Sequence, residues 1–148
     1  MTTTVSQLLE TKGSNGNRVW SVAPQASVQS AMQLMADKDI GAVMVAEGDR
    51  LVGIFSERDY ARKVGLKGLA PDTPVGSVMT TEVVWVGPEQ SIEACMGLMT
   101  SRAIRHLPVL EQGRLAGMIT IRDVVKAIIS DRDGTIRSLE TYLTNLTM

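Results

Sequence analysis

In the first third of the chain, a short apolar run is followed by a segment whose apolar residues recur at helical spacing. Residues 19–22 form the run, which stops before Pro24, as expected for a strand, because proline cannot donate to a sheet. Ser27 is suited to cap the helix that follows. The apolar residues of that predicted helix recur at helical spacing: Val28, Ala31, Met32 and Met35.

Two further apolar runs predict a β-hairpin. Ala42–Ala46 and Leu51–Phe55 flank a polar turn at residues 47–50, whose glycine suits a tight reversal. A helix is expected from about Glu57 to Val64. This part of the chain is therefore predicted to fold in the order strand, helix, strand, strand, helix.

The same pattern occurs a second time, without gaps, at a spacing of 64 residues. Gly53–Asp59 aligns with Gly117–Asp123, and Val22–Ser27 aligns with Val86–Ser91. Each copy is too short to bury both faces of its own elements, so the two are expected to share one core. The second copy predicts a helix with Ile92, Cys95, Met96 and Met99 on its apolar face, strands Leu107–Leu110 and Leu115–Ile119, and a last helix from about Ile121 to Ile129.

Shorter segments flank the two copies. Residues 65–74, with two glycines and two prolines, are predicted to be a linker. Residues 75–79 repeat the apolar pattern of residues 5–9, so a short apolar turn is expected before each copy. After Gly134 an apolar stripe predicts a short C-terminal amphipathic helix: Ile136, Leu139, Leu143 and Leu146. The chain is thus divided into residues 1–74, 75–130 and 131–148.

Composition narrows the possible classes of function. A chain of 148 residues can form one compact domain without disulfides or metals. Its 15 basic and 16 acidic residues nearly cancel, which disfavours a nucleic-acid binder. One cysteine and one histidine cannot build a structural zinc site. There is no apolar run of membrane-spanning length and no signal-peptide pattern, so we expect a cytoplasmic protein with no membrane partner.

Candidate binding chemistry lies where the last strand of each copy runs directly into a helix. The free backbone N–H groups at such a helix start attract an anionic phosphate, and a guanidinium adds forked donors for it. A carboxylate accepts hydrogen bonds only, so it suits the two donors of a ribose diol. Each junction carries a hydroxyl, a guanidinium and a carboxylate: Ser56, Arg58 and Asp59 in the first copy, and Thr120, Arg122 and Asp123 in the second.

These residues carry a resemblance to a known family. The repeated pattern Val-x-Pro-x-x-Ser, followed by Gly-x-x-Ser/Thr-x-x-Asp, resembles the CBS domain. Two copies in tandem resemble a CBS pair, or Bateman module, over roughly residues 5–130, and the flanks resemble small stand-alone bacterial CBS-pair proteins. The resemblance implies an α/β fold of two β-α-β-β-α repeats packed with pseudo-two-fold symmetry, plus short N- and C-terminal helices.

The resemblance also implies adenosine-containing ligands, such as AMP, ADP, ATP, NAD(H) or S-adenosylmethionine, in clefts to which both repeats contribute. Asp59 and Asp123 would take the ribose. Phosphate would meet Ser56, Arg58, Arg105, His106, Thr120 and Arg122. Adenine would lie against Val83, Val84, Trp85, Leu107 and Pro108 in the first cleft, and against Val19, Trp20, Ser21, Ile40, Gly41 and Ala42 in the second.

The two expected clefts are not equal. The second repeat has Arg105 and His106 where the first has Gly41 and Ala42. The first cleft is therefore expected to be more cationic, and the second smaller and more apolar. The two tryptophans, Trp20 and Trp85, are one residue out of repeat register, so they should lie on opposite faces of their strands.

Each candidate also has a purely structural interpretation. Ser56–Asp59 and Thr120–Asp123 fit a helix capping box, which does not preclude ligand binding. His106 could be a hydrogen-bonded structural residue, and Cys95 aligns with an alanine on a buried helical stripe. No base and nucleophile stand together in the sequence, so an enzyme is disfavoured.

We therefore predict a non-catalytic module that senses adenine nucleotides, requires no metal or other cofactor, and forms a homodimer that regulates an unidentified protein. The alternative is a ligand-free structural or dimerisation module, whose clefts would stay empty.

Overall fold

The computed structural model describes residues 3–12 and 19–147, with the side chains of residues 133–138, 142 and 145–147 left undescribed. Its helices are α1 (Val5–Thr11), α2 (Val28–Lys38), α3 (α-helical Glu57–Asp59 continuing as π-helical Tyr60–Gly65), α4 (Ile92–Arg102) and α5 (Ile121–Thr147). Its strands are β1 (Ser21–Val22), β2 (Ala42–Glu47), β3 (Arg50–Ser56), β4 (His106–Glu111) and β5 (Arg114–Thr120).

The first repeat forms a three-stranded sheet. Strand β1 runs parallel to β2, which pairs antiparallel with β3. The hydroxyl of Ser27 accepts from the N–H of Ser30 at 3.0 Å, so the predicted cap of α2 is confirmed. Gly48 turns the β2–β3 hairpin with φ 65°, in the left-handed region that favours glycine.

The second repeat reproduces this arrangement with a shorter first strand. Strands β4 and β5 pair antiparallel in the register of β2 and β3. The predicted strand at residues 83–86 is reduced to a single parallel bridge between Val86 and Val109. The order of elements predicted from the sequence is otherwise confirmed, including both hairpins.

The segment before each repeat packs on the other repeat. Helix α1 contributes Val5, Leu8 and Leu9 to the core of the second repeat. The 3-10 turn Val75–Ser77, which precedes the second repeat, packs with Val78 into the core of the first. Each repeat is therefore completed by chain from the other half, which fixes the two halves against each other.

The repeats also meet directly along β3 and β5. The N–H of Leu115 donates to the carbonyl of Asp49 at 3.2 Å, and the Arg114 guanidinium lies 3.3 Å from the Asp49 carboxylate. Both carboxylate and guanidinium are mostly exposed, so this ion pair adds little stability. The buried apolar surface of the two cores supplies the main stabilisation.

The C-terminal region differs from the sequence-based expectation. Two helices were expected, one ending near Ile129 and one after Gly134, but α5 is continuous across both positions. A glycine inside a helix costs about 1 kcal/mol relative to alanine, which a long helix can absorb. Leu139 and Leu143 are 58% and 59% exposed. The side chains of Ile136 and Leu146, which complete the predicted stripe, lie outside those described.

Candidate ligand clefts between the two repeats

The two strand–helix junctions form the same capping arrangement. In the first repeat, the N–H of Ser56 donates to the Asp59 carboxylate and the N–H of Asp59 donates to the Ser56 hydroxyl, both at 3.1 Å. In the second, the N–H of Thr120 donates to Asp123 at 2.9 Å, and the N–H of Asp123 donates to the Thr120 hydroxyl at 3.2 Å. The capping interpretation is confirmed at both junctions.

The carboxylate of Asp59 has further partners. The Thr80 hydroxyl donates to it at 3.1 Å, and the ammonium of Lys63 lies 3.1 Å away. Lys63 also donates to the Thr80 hydroxyl at 3.3 Å. Asp59 therefore joins its own helix to the chain that enters the second repeat.

That entering chain links the two sheets. Thr80 pairs with Ile54 of β3 through backbone hydrogen bonds of 2.8 and 3.0 Å, and Val86 pairs with Val109 of β4. The intervening residues 83–85 therefore pass from the Asp59 side of the first repeat to the sheet of the second. This crossing places Val83, Val84 and Trp85, three of the residues predicted to contact adenine in the first cleft, between the two repeats.

The two tryptophans differ in exposure, but neither lies within a strand, so their placement on opposite strand faces stays a prediction. Trp85 is 54% exposed. Trp20 packs partly against the first core, and the ammonium of Lys38 lies 4.5 Å from its ring centroid. Other predicted adenine contacts are less accessible, because Leu107 and Ala42 are fully buried and Pro108 is buried. These three residues therefore offer a ligand little or no accessible surface.

His106 lies beside residues assigned to the second cleft, since it is the cross-strand partner of Thr120 in β5. A methyl group placed on Gly41 would lie 3.4 Å from Cε1 of His106 and 3.5 Å from Oε1 of Glu57. Burial lowers the pKa of His106, and Arg105 lowers it further, while Glu57 and Asp123 act in the opposite direction. The histidine assigned to the first cleft thus faces a glycine assigned to the second.

The predicted phosphate-binding guanidiniums lie on the surface. Arg58, Arg105 and Arg122 are all exposed. The Arg58 guanidinium donates to the carbonyl of Ala103 at 3.4 Å, which brings it across to the second repeat just before β4. Exposed guanidiniums keep the freedom to meet an incoming anion at little desolvation cost.

The second cleft holds a cation that the sequence analysis did not assign. The ammonium of Lys12, at the end of α1, lies 2.8 Å from Oδ2 of Asp123 and donates to the carbonyl of Met118 at 3.0 Å. The carbonyl of Trp20, another residue assigned to this cleft, accepts from the N–H of Met44 at 3.0 Å, which fixes the entry of β1.

Three contacts of the two carboxylates were missed by the sequence analysis: Lys12, Lys63 and Thr80. Lys63 could have been found, because it stands four residues after Asp59 on the same helix. Lys12 and Thr80 carry no local signal, since each reaches its carboxylate through the fold.

A groove of about 330 Å³ opens beside the start of β2. It includes two residues predicted to contact adenine, Ile40 and Gly41, but neither Asp59 nor Asp123. Its volume is at the lower end of the range for small-molecule sites. The remaining lining residues come mainly from the end of α2: Met32, Met35, Ala36, Asp39 and Glu57.

Two other features of the described residues bear on chemistry. No group of three or more His, Cys, Asp and Glu side chains among them is placed to hold a metal ion. None of the helices in the described ranges is both long and apolar enough to cross a membrane. Cys95 is fully buried, and burial raises the pKa of its thiol, so it is a core residue as predicted.

An α/β fold of two repeated units with matching strand–helix junctions is the architecture of a tandem regulatory module. The family model for the CBS domain matches the chain twice, over residues 16–65 and 75–130. The protein therefore belongs to the CBS-domain family and carries a tandem pair. Such pairs are regulatory, non-catalytic modules that often bind adenosine ligands.

Similar proteins support this assignment. A solved structure with CBS domains from Burkholderia ambifaria MC40-6 is 47% identical, with a TM-score of 0.83 over 87% of this chain and 96% of that one. CBS domain-containing protein CBSX3, mitochondrial, of Arabidopsis thaliana is 34% identical over 95% of this chain and 72% of its own length.

A CBS domain protein from Pyrobaculum aerophilum, complexed with AMP, is 24% identical over 82% of this chain and 89% of that one, with a TM-score of 0.72. At that identity the likeness shows a shared fold alone.

Proposed function

We propose that this protein is a non-catalytic sensor of adenine nucleotides, which bind in the clefts between its two CBS repeats. The observation that carries the proposal is the crossing of residues 80–86 from β3 to β4 beside Asp59. An apolar segment, a carboxylate and a helix start thereby lie together at the boundary of the repeats.

The first junction has the chemistry for the sugar and phosphate. The side chain of Asp59 is only 14% exposed, so its carboxylate is positioned by the fold and presents a narrow exposed edge to a ribose diol. At this helix start the N–H groups of Glu57 and Asp59 already donate to the Gly41 carbonyl and the Ser56 hydroxyl, unlike the free donors expected from the sequence. The exposed guanidinium of Arg58 is therefore the donor that favours a phosphate next to it. Ligand hydroxyls would join or replace the Thr80 and Lys63 contacts rather than meet a bare carboxylate.

Adenine is flat and needs an apolar slot with polar backbone at its edge. Residues 83 and 84 are half-buried and Trp85 is largely exposed, so this segment offers apolar surface that the protein itself does not cover. The likeness to the Pyrobaculum aerophilum protein, complexed with AMP, is consistent with a ligand of this class on this fold.

A catalytic use of the nucleotide is disfavoured by the same residues. The Ser56 hydroxyl is bonded to Asp59 as a cap, and the buried thiol of Cys95 has a raised pKa, which disfavours the nucleophilic thiolate. His106 is the cross-strand partner of Thr120 and lies near Gly41 and Glu57, but it makes no hydrogen bond with a hydroxyl or thiol of the described residues. The Ser56 hydroxyl does donate to a carboxylate, but that carboxylate is also held by the Thr80 hydroxyl and the Lys63 ammonium, which is the arrangement of a structural cap rather than of a base that activates a nucleophile.

A second candidate function rests on the caps. Both carboxylates already have internal partners, so the module is also suited to act as a ligand-free scaffold. In either case we propose a cytoplasmic homodimer in which the exposed apolar residues of α5, including Leu139 and Leu143, cover one another. The regulated protein would contact this assembly.

Thermal unfolding with added nucleotide separates the two candidates. A ligand at a hundredfold excess over its Kd stabilises the folded state by about 2.7 kcal/mol, which raises Tm by roughly 5–10 °C in a chain of this size. We expect that shift with at least one of AMP, ADP, ATP and NAD(H), and none with GMP. Asp59→Ala and Asp123→Ala should each remove part of it. No shift with any adenine nucleotide would leave the scaffold as the function.

A further inference from the structure

The second cleft contains an ion pair between distant parts of the chain. The Lys12 ammonium lies 2.8 Å from the Asp123 carboxylate, and the two side chains are only 26% and 19% exposed. The same ammonium donates to the carbonyl of Met118 at 3.0 Å. Lys12 is therefore held at the junction that the proposed function assigns to ribose and phosphate.

The position of Lys12 is fixed by the packing of its helix. Val5 donates its N–H to the carbonyl of Gln90 at 2.8 Å, and Ser6 donates to Pro88 at 2.9 Å. Val5, Leu8 and Leu9 are buried against the second repeat. Lys12 thus projects from a docked helix, and its contact with Asp123 does not depend on an unsupported tail.

The first cleft contains the same kind of ion pair from a different source. Lys63 lies 3.1 Å from Asp59 and stands one helical turn after it. At the repeat spacing of 64, the position equivalent to Lys63 is Ala127. The second repeat therefore lacks the helical lysine, and α1 supplies a cation to the corresponding carboxylate instead.

We infer that Lys12 is a phosphate-binding residue of the second cleft, supplied by the N-terminal helix. An ammonium has three N–H donors, and the described contacts use two, to Asp123 and Met118. The third can meet a phosphate oxygen while the pair stays intact. The positive charge of Lys12 also offsets the negative charge of Asp123. Without that offset, Asp123 would repel the phosphate of a nucleotide whose ribose it binds.

This inference rests on the proposed function and changes one expectation about it. Comparison of Gly41 and Ala42 with Arg105 and His106 predicts a less cationic second cleft. With Lys12 in place, the second cleft is suited to a phosphorylated ligand, so we expect it to discriminate AMP from adenosine.

The test measures both ligands calorimetrically in an Asp59→Ala chain, in which the first cleft is weakened. Lys12→Met should lower AMP affinity about tenfold or more, the effect of losing one charge-assisted bond, and leave adenosine affinity nearly unchanged. Lys12→Arg should retain much of the AMP affinity. Lys67→Met, which removes the same charge from an exposed linker position, should have no effect.

Other outcomes overturn the inference in distinguishable ways. Equal losses for AMP and adenosine would make Lys12 a structural support of the cleft. Tighter AMP binding in Lys12→Met would make it a competitor for Asp123. If the Asp59→Ala chain binds neither ligand while Asp123→Ala binds AMP, the second cleft is empty and Lys12 has no such role, although the proposed function stands. Should Asp59→Ala not fold, Lys12→Met in the otherwise unchanged chain must weaken AMP at one of two sites.

Discussion

Gly53→Ala should destabilise the protein by displacing the chain that crosses between the repeats. A methyl group at Gly53 would lie 2.9 Å from the carbonyl oxygen of Thr80 and 2.5 Å from Sδ of Met79. Met79 can change rotamer, but the Thr80 carbonyl accepts a hydrogen bond from Ile54 at 3.0 Å and cannot retreat without weakening it. Overpacking of this kind costs about 1–3 kcal/mol, and loss of the bond adds to it.

The equivalent glycine of the second repeat provides a matched comparison. A methyl group at Gly117 would lie 3.0 Å from Cδ2 of Leu9, the end of a flexible side chain, so Gly117→Ala should cost less than Gly53→Ala. Gly97 in α4 has nothing within 4 Å, and alanine there should stabilise by up to about 1 kcal/mol through helix propensity.

Urea unfolding at one temperature measures the free energy of unfolding of all three variants. We expect the free energy of unfolding to be highest for Gly97→Ala, followed by wild type, then Gly117→Ala, and to be lowest for Gly53→Ala. A Gly53→Ala protein as stable as wild type would refute the close approach of Thr80 to β3, and with it the crossing on which the first cleft depends.

Three further predictions address charge, pH and assembly. Arg58→Ala and Arg105→Ala should each weaken AMP binding by about tenfold or more while adenosine binding is nearly unchanged, as measured by calorimetric titration; equal losses would mean that they support the fold. Burial lowers the pKa of His106 in the folded protein, so as pH falls the histidine is protonated first in the unfolded state. The stability due to this residue is therefore present above the unfolded pKa of about 6.5 and is lost below it. His106→Asn should flatten the slope of Tm between about pH 7 and pH 5, and an unchanged slope would show that other groups cause it. Deletion of residues 135–148 should shift sedimentation toward monomer, because exposed leucines on α5 need a partner to cover them; an unchanged sedimentation profile would show that this stripe makes no contact between protomers.

Local patterns predicted the elements and the caps because these features depend on neighbouring residues. The apolar runs on either side of Gly48 and the capping residue Ser27 have their causes within a few positions. Repetition also predicted the second hairpin, whose strands pair in the register of the first. The CBS resemblance was confirmed for the same reason, since two aligned copies carry it.

The parts that sequence reasoning missed depend on tertiary contacts. Lys12 reaches a carboxylate 111 residues away only because α1 packs on the far repeat. Thr80 reaches Asp59 because its chain joins the edge of β3. In α5 a local signal was misleading instead. Gly134 predicted a break in the helix, but the helix continues through it because the helical residues on both sides outweigh one glycine.

A crystal structure of the protein grown with AMP tests the central claim most directly. We expect ribose hydroxyls within hydrogen-bond distance of the carboxylate of Asp59 or Asp123, with the phosphate at the helix start that the same residue caps. In the first cleft the adenine ring should lie against residues 83–85. AMP in the groove beside Met35, away from both carboxylates, would contradict the assignment of these clefts, and a chain that binds no AMP would contradict AMP as their ligand.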